Sequence, residues 1–351
     1  MRVGFDAHMV GQHETGNETY ALGLLSGLDA AGFPVDAYAF TRTPAGIHRF
    51  HRTGPRQSYL RIPITNPLLA ARDKLDLFHA TYVIPPVMPC ACVVTVHDIT
   101  YALFPDWFAP RVRGMLQIMV PLALRHAARI VTISEHTKGD LITHYGIDPG
   151  KIAVSYLAPR PAFADRLASI RSEGPFLLYV GNVEPRKNVE TVIRALAVLR
   201  DRKLEVPLKI VGKPGYHYEV TVRLVQSLRL SHLITFLGYV PDDRLRQLYA
   251  SCTALVHPAL YEGFGLTPLE AMVQGTPVIA AATSSVPEVV GNAAILVEPE
   301  SIEAWIEALE RLLGSAEERE RLSRLGLERV KSFSWRRCAE QTIQAYREAL
   351  R

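Results

Sequence analysis

Apolar positions along this chain follow two alternating rhythms. Short runs of aliphatic and β-branched residues, such as PFLLYVG, are separated by longer stretches whose apolar positions recur every three or four residues. The first pattern suits buried strands and the second amphipathic helices. Their repetition from end to end predicts βαβ units and parallel, doubly wound sheets in an α/β fold. In the first half, strands are expected at 2–8, 34–40, 76–80, 92–96, 129–133 and 152–155, with helices at 17–31, 110–127 and 135–144. The rhythm then lapses over 160–175, which carries Pro161, Gly174 and Pro175 and reads as a linker. Strands resume at 176–180, 207–211, 233–236, 253–256, 277–280 and 293–297, with helices at 188–202, 216–229, 242–250, 265–275 and 301–332. A last amphipathic run, Ser334 to Leu350, has Ser334 as its expected N-cap and carries Trp335, Cys338, Ile343 and Tyr346.

A length of 351 residues with 48% hydrophobic content exceeds one comfortable core. The expected organisation is two Rossmann-like domains, 1–165 and 166–333, with 334–351 returning as a helix onto the first. Cys90 and Cys92 are one residue apart and Cys252 and Cys338 are isolated, which is neither a disulfide framework nor a zinc spacing. No apolar run is long enough to span a bilayer and the first residues lack signal-peptide architecture, so a cytoplasmic protein is expected.

The net charge of +4 is unevenly placed: 17 Lys and Arg stand against 13 Asp and Glu through Arg171, and 22 against 22 beyond it. This excess is too small for a nucleic-acid binder. The cluster Arg42, His48, Arg49, His51, Arg52, Arg56 and Arg61, interleaved with Phe50 and Tyr59, reads either as a solvated loop or as a peripheral contact for anionic head groups. Nicotinamide and P-loop chemistry lack their glycine patterns, and neither H-E-x-x-H nor D-x-D occurs. No cofactor and no metal are expected.

Five segments carry the candidate chemistry. HPALYEGFGLTPLEAMVQGTPVIA, from His257 to Ala280, reads as a strand end, a glycine-bearing loop and a helix start near Gly265, where unpaired N–H groups and the helix dipole suit a diphosphate. Glu262 precedes that helix and Glu270 lies within it; by spacing alone they are equally a cap and a solvated side. YVGNVEPRKNVE brings Arg186 and Lys187 to the carboxyl end of a strand, where open α/β sheets bind ligands. VVTVHDIT places His97 and Asp98 at another strand end, where Asp98 orients the histidine, caps the next turn or approaches an acceptor. RIVTISEHTKGDL offers Ser134 as an N-cap. VGQHETGNETY holds Thr15, Gly16 and Tyr20 in a turn after the first strand.

Glu262 and Glu270 together resemble the E-x7-E signature of the retaining GT-B glycosyltransferases known as glycosyl transferase group 1, or glycosyltransferase family 4, and the resemblance runs over essentially the whole chain. It implies two Rossmann-like domains facing each other across a cleft, and transfer of a hexose from a nucleoside diphosphate sugar to a glycan or lipid-linked hydroxyl. It places Glu262 beside the transferred sugar and Glu270 on the ribose. It sets the backbone of Gly263, Phe264, Gly265 and Leu266 against sugar and diphosphate. Lys187 matches the lysine of the family's G-R-x-x-x-x-K-G clamp, Asn182 stands where many members have arginine, and Arg186 supplies the second charge. His97 is implied to touch the donor sugar, with Ser134 and Asp98 near the ligand. The glycine-rich turn T-G-x-G-x-Y is matched at Gly16 but carries Glu18 at its second glycine. Runs such as VEPRKNVE resemble mannosyltransferase-type members, implying GDP-mannose as donor, with UDP-glucose second. A sugar-nucleotide epimerase and a noncatalytic nucleotide-sugar binder are the alternatives.

Overall fold

The computed structural model describes residues 1–12, 15–41, 46–167 and 174–351. Arg42 of the basic cluster and residues 168–173 of the expected linker lie outside these. The chain forms two compact units, one of residues 1–158 with 333–351 and the other of residues 159–332. The crossing thus falls at Ala158 and Pro159, ahead of the aperiodic stretch, because Arg160 and Phe163 are already tied to groups of the second unit.

The first unit is built on β1 (Val3–Asp6), β2 (Asp36–Ala39), β3 (Arg49–Arg52), β4 (Leu77–Thr81), β5 (Ala91–Val96), β6 (Arg129–Thr132) and β7 (Ile152–Val154). They form one parallel sheet in the order β3-β2-β1-β4-β5-β6-β7. Six of these strands coincide with the apolar runs. The exception is β3, whose sequence RFHR has no buried position; an edge strand needs burial on neither side, so alternation does not reveal it.

The C-terminal helix Trp335–Ala349 starts at Ser334, whose hydroxyl accepts the Arg337 N–H at 3.2 Å. It packs on the helix Thr15–Ala30 and on β5, β6 and β7. Gly23 and Gly27 permit the approach: a Cβ on Gly23 would lie 2.2 Å from the Trp335 ring, and one on Gly27 would lie 2.0 Å from the Trp335 carbonyl oxygen. Beneath it, buried His79 joins Tyr346 Oη to Nδ1 and Thr95 Oγ1 to Nε2, each at 2.7 Å, and Tyr20 Oη meets Thr95 Oγ1 at 2.8 Å. Burial, reinforced by His97, lowers the His79 pKa to about 3, so the ring is neutral near neutral pH and one nitrogen donates while the other accepts.

The second unit repeats the plan with β8 (Leu177–Val180), β9 (Leu208–Val211), β10 (Ile234–Gly238), β11 (Ala254–His257), β12 (Val278–Ala281) and β13 (Ile295–Val297), parallel in the order β10-β9-β8-β11-β12-β13. Its core gathers Leu177, Leu208, Ile210, Val256 and Ile279 from the sheet with Trp305, Leu309 and Leu312 from a flanking helix. The single helix expected over 301–332 is instead two, Ile302–Gly314 and Ala316–Arg329. Ser315 is the reason: its extended backbone and its hydroxyl, accepting from the Glu318 N–H, start a fresh helix.

Candidate active site

In the second unit the loops after β8 and β11 meet at the carboxyl ends of their strands, the end at which open parallel sheets hold ligands. Pro185 begins a short 3-10 turn whose next two residues are Arg186 and Lys187. The Arg186 carbonyl accepts the Leu260 N–H at 2.8 Å, which fastens one loop to the other. Arg186 Nη1 then donates to the Tyr261 carbonyl at 3.0 Å and reaches Glu262 Oε2 at 3.4 Å, while Lys187 Nζ donates to Glu262 Oε1. The loop after β12 completes the mould, with Ser284 Oγ accepting the Glu262 N–H at 2.9 Å and Ser285 Oγ donating to the Glu262 carbonyl at 2.8 Å. Sequence reasoning passed over both serines and His257, whose Nε2 lies 3.5 Å from Glu262 Oε1.

Glu262 is mostly buried, which alone would raise its pKa. The attraction of Lys187, Arg186 and His257 outweighs that and holds it at about 2. Burial lowers the Lys187 pKa and Glu262 offsets this in part. Burial likewise pushes His257 down to about 4, leaving it neutral near neutral pH. The cluster therefore carries two positive charges and one negative, with a surplus available to an anion. Beside it, Gly265 has φ +103°, a left-handed conformation that favours glycine, and opens the helix Leu266–Val273 with no side-chain cap. Gly263 and Phe264 are buried in the preceding loop.

The remaining expectations for this unit resolve differently. Asn182 is exposed; its Nδ2 reaches Glu184 Oε1 at 3.4 Å and its Oδ1 accepts the Lys213 N–H at 3.3 Å, so it links two loops. Glu270 is 1% exposed. Arg160 Nε donates to its Oε1 at 2.6 Å, Arg160 Nη2 to Oε2 at 3.2 Å and Tyr249 Oη to Oε2 at 3.2 Å. Burial raises the Glu270 pKa, and Arg160 and Tyr249 oppose this only in part. Arg160 also donates to Asp242 Oδ1 at 2.8 Å and stacks over Phe163, 4.2 Å from the ring centre. It lies 110 residues from Glu270, and no local motif announces it.

In the first unit His97 follows β5 and is 7% exposed. Nδ1 lies 2.8 Å from Asn17 Oδ1, and the ring sits edge-on to Tyr20 and Tyr82 with centroids 4.7 and 5.5 Å away. Burial lowers its pKa to about 4, with Asp98 opposing. The neutral ring therefore donates from Nδ1 to Asn17, which leaves Nε2 as an acceptor. That buried nitrogen has no partner among the described residues. Asn17, unmarked by the sequence reading, thus sets the tautomer.

Asp98 and Ser134 make local hydrogen bonds within the first unit. Asp98 Oδ1 accepts from the Thr100 N–H at 2.9 Å and Thr100 Oγ1 at 2.7 Å, capping the next turn. Ser134, expected near the ligand, is fully buried, and its hydroxyl accepts the Thr137 N–H at 3.0 Å and donates to Thr137 Oγ1 at 2.9 Å. Thr137 Oγ1 donates in turn to the His97 carbonyl at 3.0 Å, so Ser134 braces His97 from behind. Gly16 is exposed with open space around it, and Glu18, at the expected second glycine, folds back to accept the Gly11 N–H at 2.6 Å.

The basic region 42–61 is also partly internal. Arg61 is 2% exposed and paired with Asp6 at 2.5 Å, His51 Nε2 lies 2.6 Å from Asp36, and His48 Nε2 lies 2.7 Å from the Leu25 carbonyl. These three groups stabilise the first unit and are not offered to a head group. No helix among the described residues is long and apolar enough to cross a membrane.

Two parallel sheets with strand-end loops carrying an acid, two cations and an uncapped helix start define a two-unit α/β protein. Residues 165–329 match glycosyl transferases group 1 and residues 15–158 match Glycosyltransferase Family 4. O-antigen chain mannosyltransferase B of Escherichia coli is 32% identical over 291 residues, 79% of this chain and 76% of that protein. The MMP alpha-(1->4)-mannosyltransferase of Mycolicibacterium hassiacum (strain DSM 44199 / CIP 105218 / JCM 12690 / 3849) is 30% identical over 275 residues, 74% of this chain and 65% of that one. The sucrose-phosphate synthase from Thermosynechococcus elongatus shares the fold, with TM-score 0.81 at 22% identity over 99% of this chain and 98% of that chain. The chain belongs to the group 1 glycosyltransferases of GT-B fold and is a glycosyltransferase.

Proposed function

We propose that the protein transfers a hexose, mannose, from GDP-mannose to a glycan or lipid-linked hydroxyl, with retention of anomeric configuration and without a metal. The observation that carries this reading is the Glu262–Lys187–Arg186 cluster beside the uncapped helix start at Gly265. Its surplus positive charge and the helix-end amides suit a departing diphosphate, which develops negative charge in the transition state. These cations do the work that a divalent ion does elsewhere. Glu262 is ionised and held by both cations, so it positions groups rather than attacking carbon. With no free carboxylate in the cluster to act as nucleophile, the leaving phosphate accepts the acceptor's proton on the face from which it departs. His97, with Nε2 set as an acceptor, takes a hydrogen bond from a ligand hydroxyl. UDP-glucose is the second donor; relatives named as mannosyltransferases support mannose as the sugar.

The test is Glu262→Gln, assayed for transfer and separately for GDP binding by calorimetry. The expected outcome is a fall of roughly 10²–10³ in turnover, the order seen when one electrostatic contact to a transition state is removed, with GDP still bound. Unchanged turnover contradicts the assignment. Retention is read from the anomeric proton coupling of the product, and an inverted product contradicts the front-face step.

A further inference from the structure

We infer that His257 is a reserve hydrogen-bond donor for Glu262, taking hold of the carboxylate when Lys187 turns to a ligand phosphate. The inference rests on the reading above, in which Lys187 serves the departing diphosphate. His257 ends β11, and its backbone is registered against Ala280 of β12, so the ring starts from a fixed point of the sheet. It is 4% exposed. Nδ1 lies 3.1 Å from Thr267 Oγ1, in the first turn of the helix Leu266–Val273, and Nε2 lies 3.5 Å from Glu262 Oε1. The ring is neutral near neutral pH, so only one of its nitrogens carries hydrogen. Were it Nδ1, the Nε2 lone pair would face an ionised carboxylate and be repelled. The Thr267 hydroxyl can donate or accept, whereas ionised Glu262 can only accept. Glu262 therefore decides the tautomer: Thr267 donates to Nδ1, and the hydrogen stands on Nε2, toward Oε1.

At 3.5 Å that N–H does not complete a hydrogen bond, and the buried nitrogen has no hydrogen-bond partner among the described residues. An unpaired buried N–H is unfavourable and calls for a cause. The cause lies across the carboxylate, where Lys187 Nζ already donates to the same Oε1 and Arg186 Nη1 reaches Oε2 at 3.4 Å. An apolar side chain of similar shape would fill the space without leaving a polar atom unmet. A donor held just short of an occupied oxygen is useful only when that oxygen is released.

The proposed reaction releases it. Lys187 meets the charge that grows on the diphosphate, and as it does so its hold on Glu262 weakens. As Nζ leaves Oε1, the Nε2–H of His257 closes on that oxygen, and Glu262 stays ionised and oriented between His257 and Arg186. The hand-over moves no proton and changes hydrogen bonds alone. His257 thus acts through Glu262 as a positioning residue, and Thr267 holds it in the tautomer that this role needs.

The experiment reads the histidine nitrogens by long-range proton–nitrogen correlation NMR, with His257 assigned from the spectrum of His257→Leu. Wild type should show the Nε2–H tautomer. Lys187→Met, which removes the competing ammonium, should move the His257 Nε2 proton downfield, as a shortened hydrogen bond does. This arm needs no sugar nucleotide, so it separates failure of the inference from failure of the proposed function. An Nδ1–H tautomer in wild type, or an unmoved proton in Lys187→Met, overturns the inference whatever the sugar nucleotide. The kinetic arm follows release of GDP from GDP-mannose. His257→Leu should lose at least about tenfold in kcat, the order for one hydrogen bond to a charged group, with KM little changed. The charged and titratable groups facing Glu262 are Lys187 and Arg186 from the loop after β8 and His257 from β11. Without His257 the carboxylate protonates more readily, so the acid limb of the His257→Leu pH profile should move up. His257→Gln, whose amide N–H stands in for Nε2–H, should recover most of the turnover. Wild-type kcat in His257→Leu, or equal losses in the two variants, overturns the inference.

Discussion

A carboxylate gripped by a lysine, an arginine and a neutral histidine has a pH signature. Glu262 ionises at about 2 in the fold against an ordinary 4.5, so its pairing contributes stability that is complete above about pH 4.5 and lost as pH falls toward 2. Glu262→Gln should therefore lose less stability than wild type over that acid window, measured as thermal midpoints along a pH series; parallel curves would contradict the pairing. Glu270 runs the other way. Its pKa is raised, so the folded state holds the proton where the unfolded state has released it, and stability falls as pH rises above 4.5. Arg160→Ala removes the main opposition to that rise. We predict a loss of about 2–4 kcal/mol at neutral pH, the order for breaking a buried pair, and a smaller loss well below pH 4.5, where Glu270 is protonated in both states. A loss independent of pH would assign Arg160 to packing alone. Both glutamates were legible in the sequence as a spaced pair. Their partners were not, because Ser284, Ser285 and Arg160 are set by loop meetings that no spacing encodes.

At the scale of elements, the parallel strands were legible because a central strand buries both faces and reads as a continuous apolar run. What escaped had a local physical reason. β3 lies at a sheet edge with Arg at both ends. The helix Asn66–Arg72 carries Pro67 in its first turn and follows Pro63, which reads as a break although proline is at home at a helix start. The long helix expected over 301–332 ignored Gly314 and Ser315. The C-terminal helix is the element whose attachment is most exposed to test. Gly27→Ala drives a methyl into the Trp335 carbonyl and should destabilise the first unit by roughly 1–3 kcal/mol, as overpacking does. Tyr346→Phe leaves His79 Nδ1 buried without its partner, at a loss of about 1–3 kcal/mol. Unfolding of either variant followed by tryptophan fluorescence, with Trp335 in the helix itself, gives these values; wild-type stability in Gly27→Ala would mean that the two helices separate freely.

For the whole molecule, the proposed recognition of the donor's diphosphate and of its sugar draws on different physics. In the proposed reaction the charged cluster of the second unit would recognise a diphosphate whatever the sugar, while the choice of hexose would rest on a few hydrogen bonds to hydroxyls. Family membership was legible from the Glu262–Glu270 segment, and the relatives place the chain among glycosyltransferases that include mannosyltransferases. The most direct measurement is binding and slow hydrolysis of GDP-mannose, UDP-glucose, UDP-N-acetylglucosamine and NAD by the purified protein with EDTA present. The account predicts that GDP-mannose binds preferentially and releases GDP at a rate EDTA does not change. Binding of NAD alone, binding of no sugar nucleotide, or release that EDTA abolishes would contradict it.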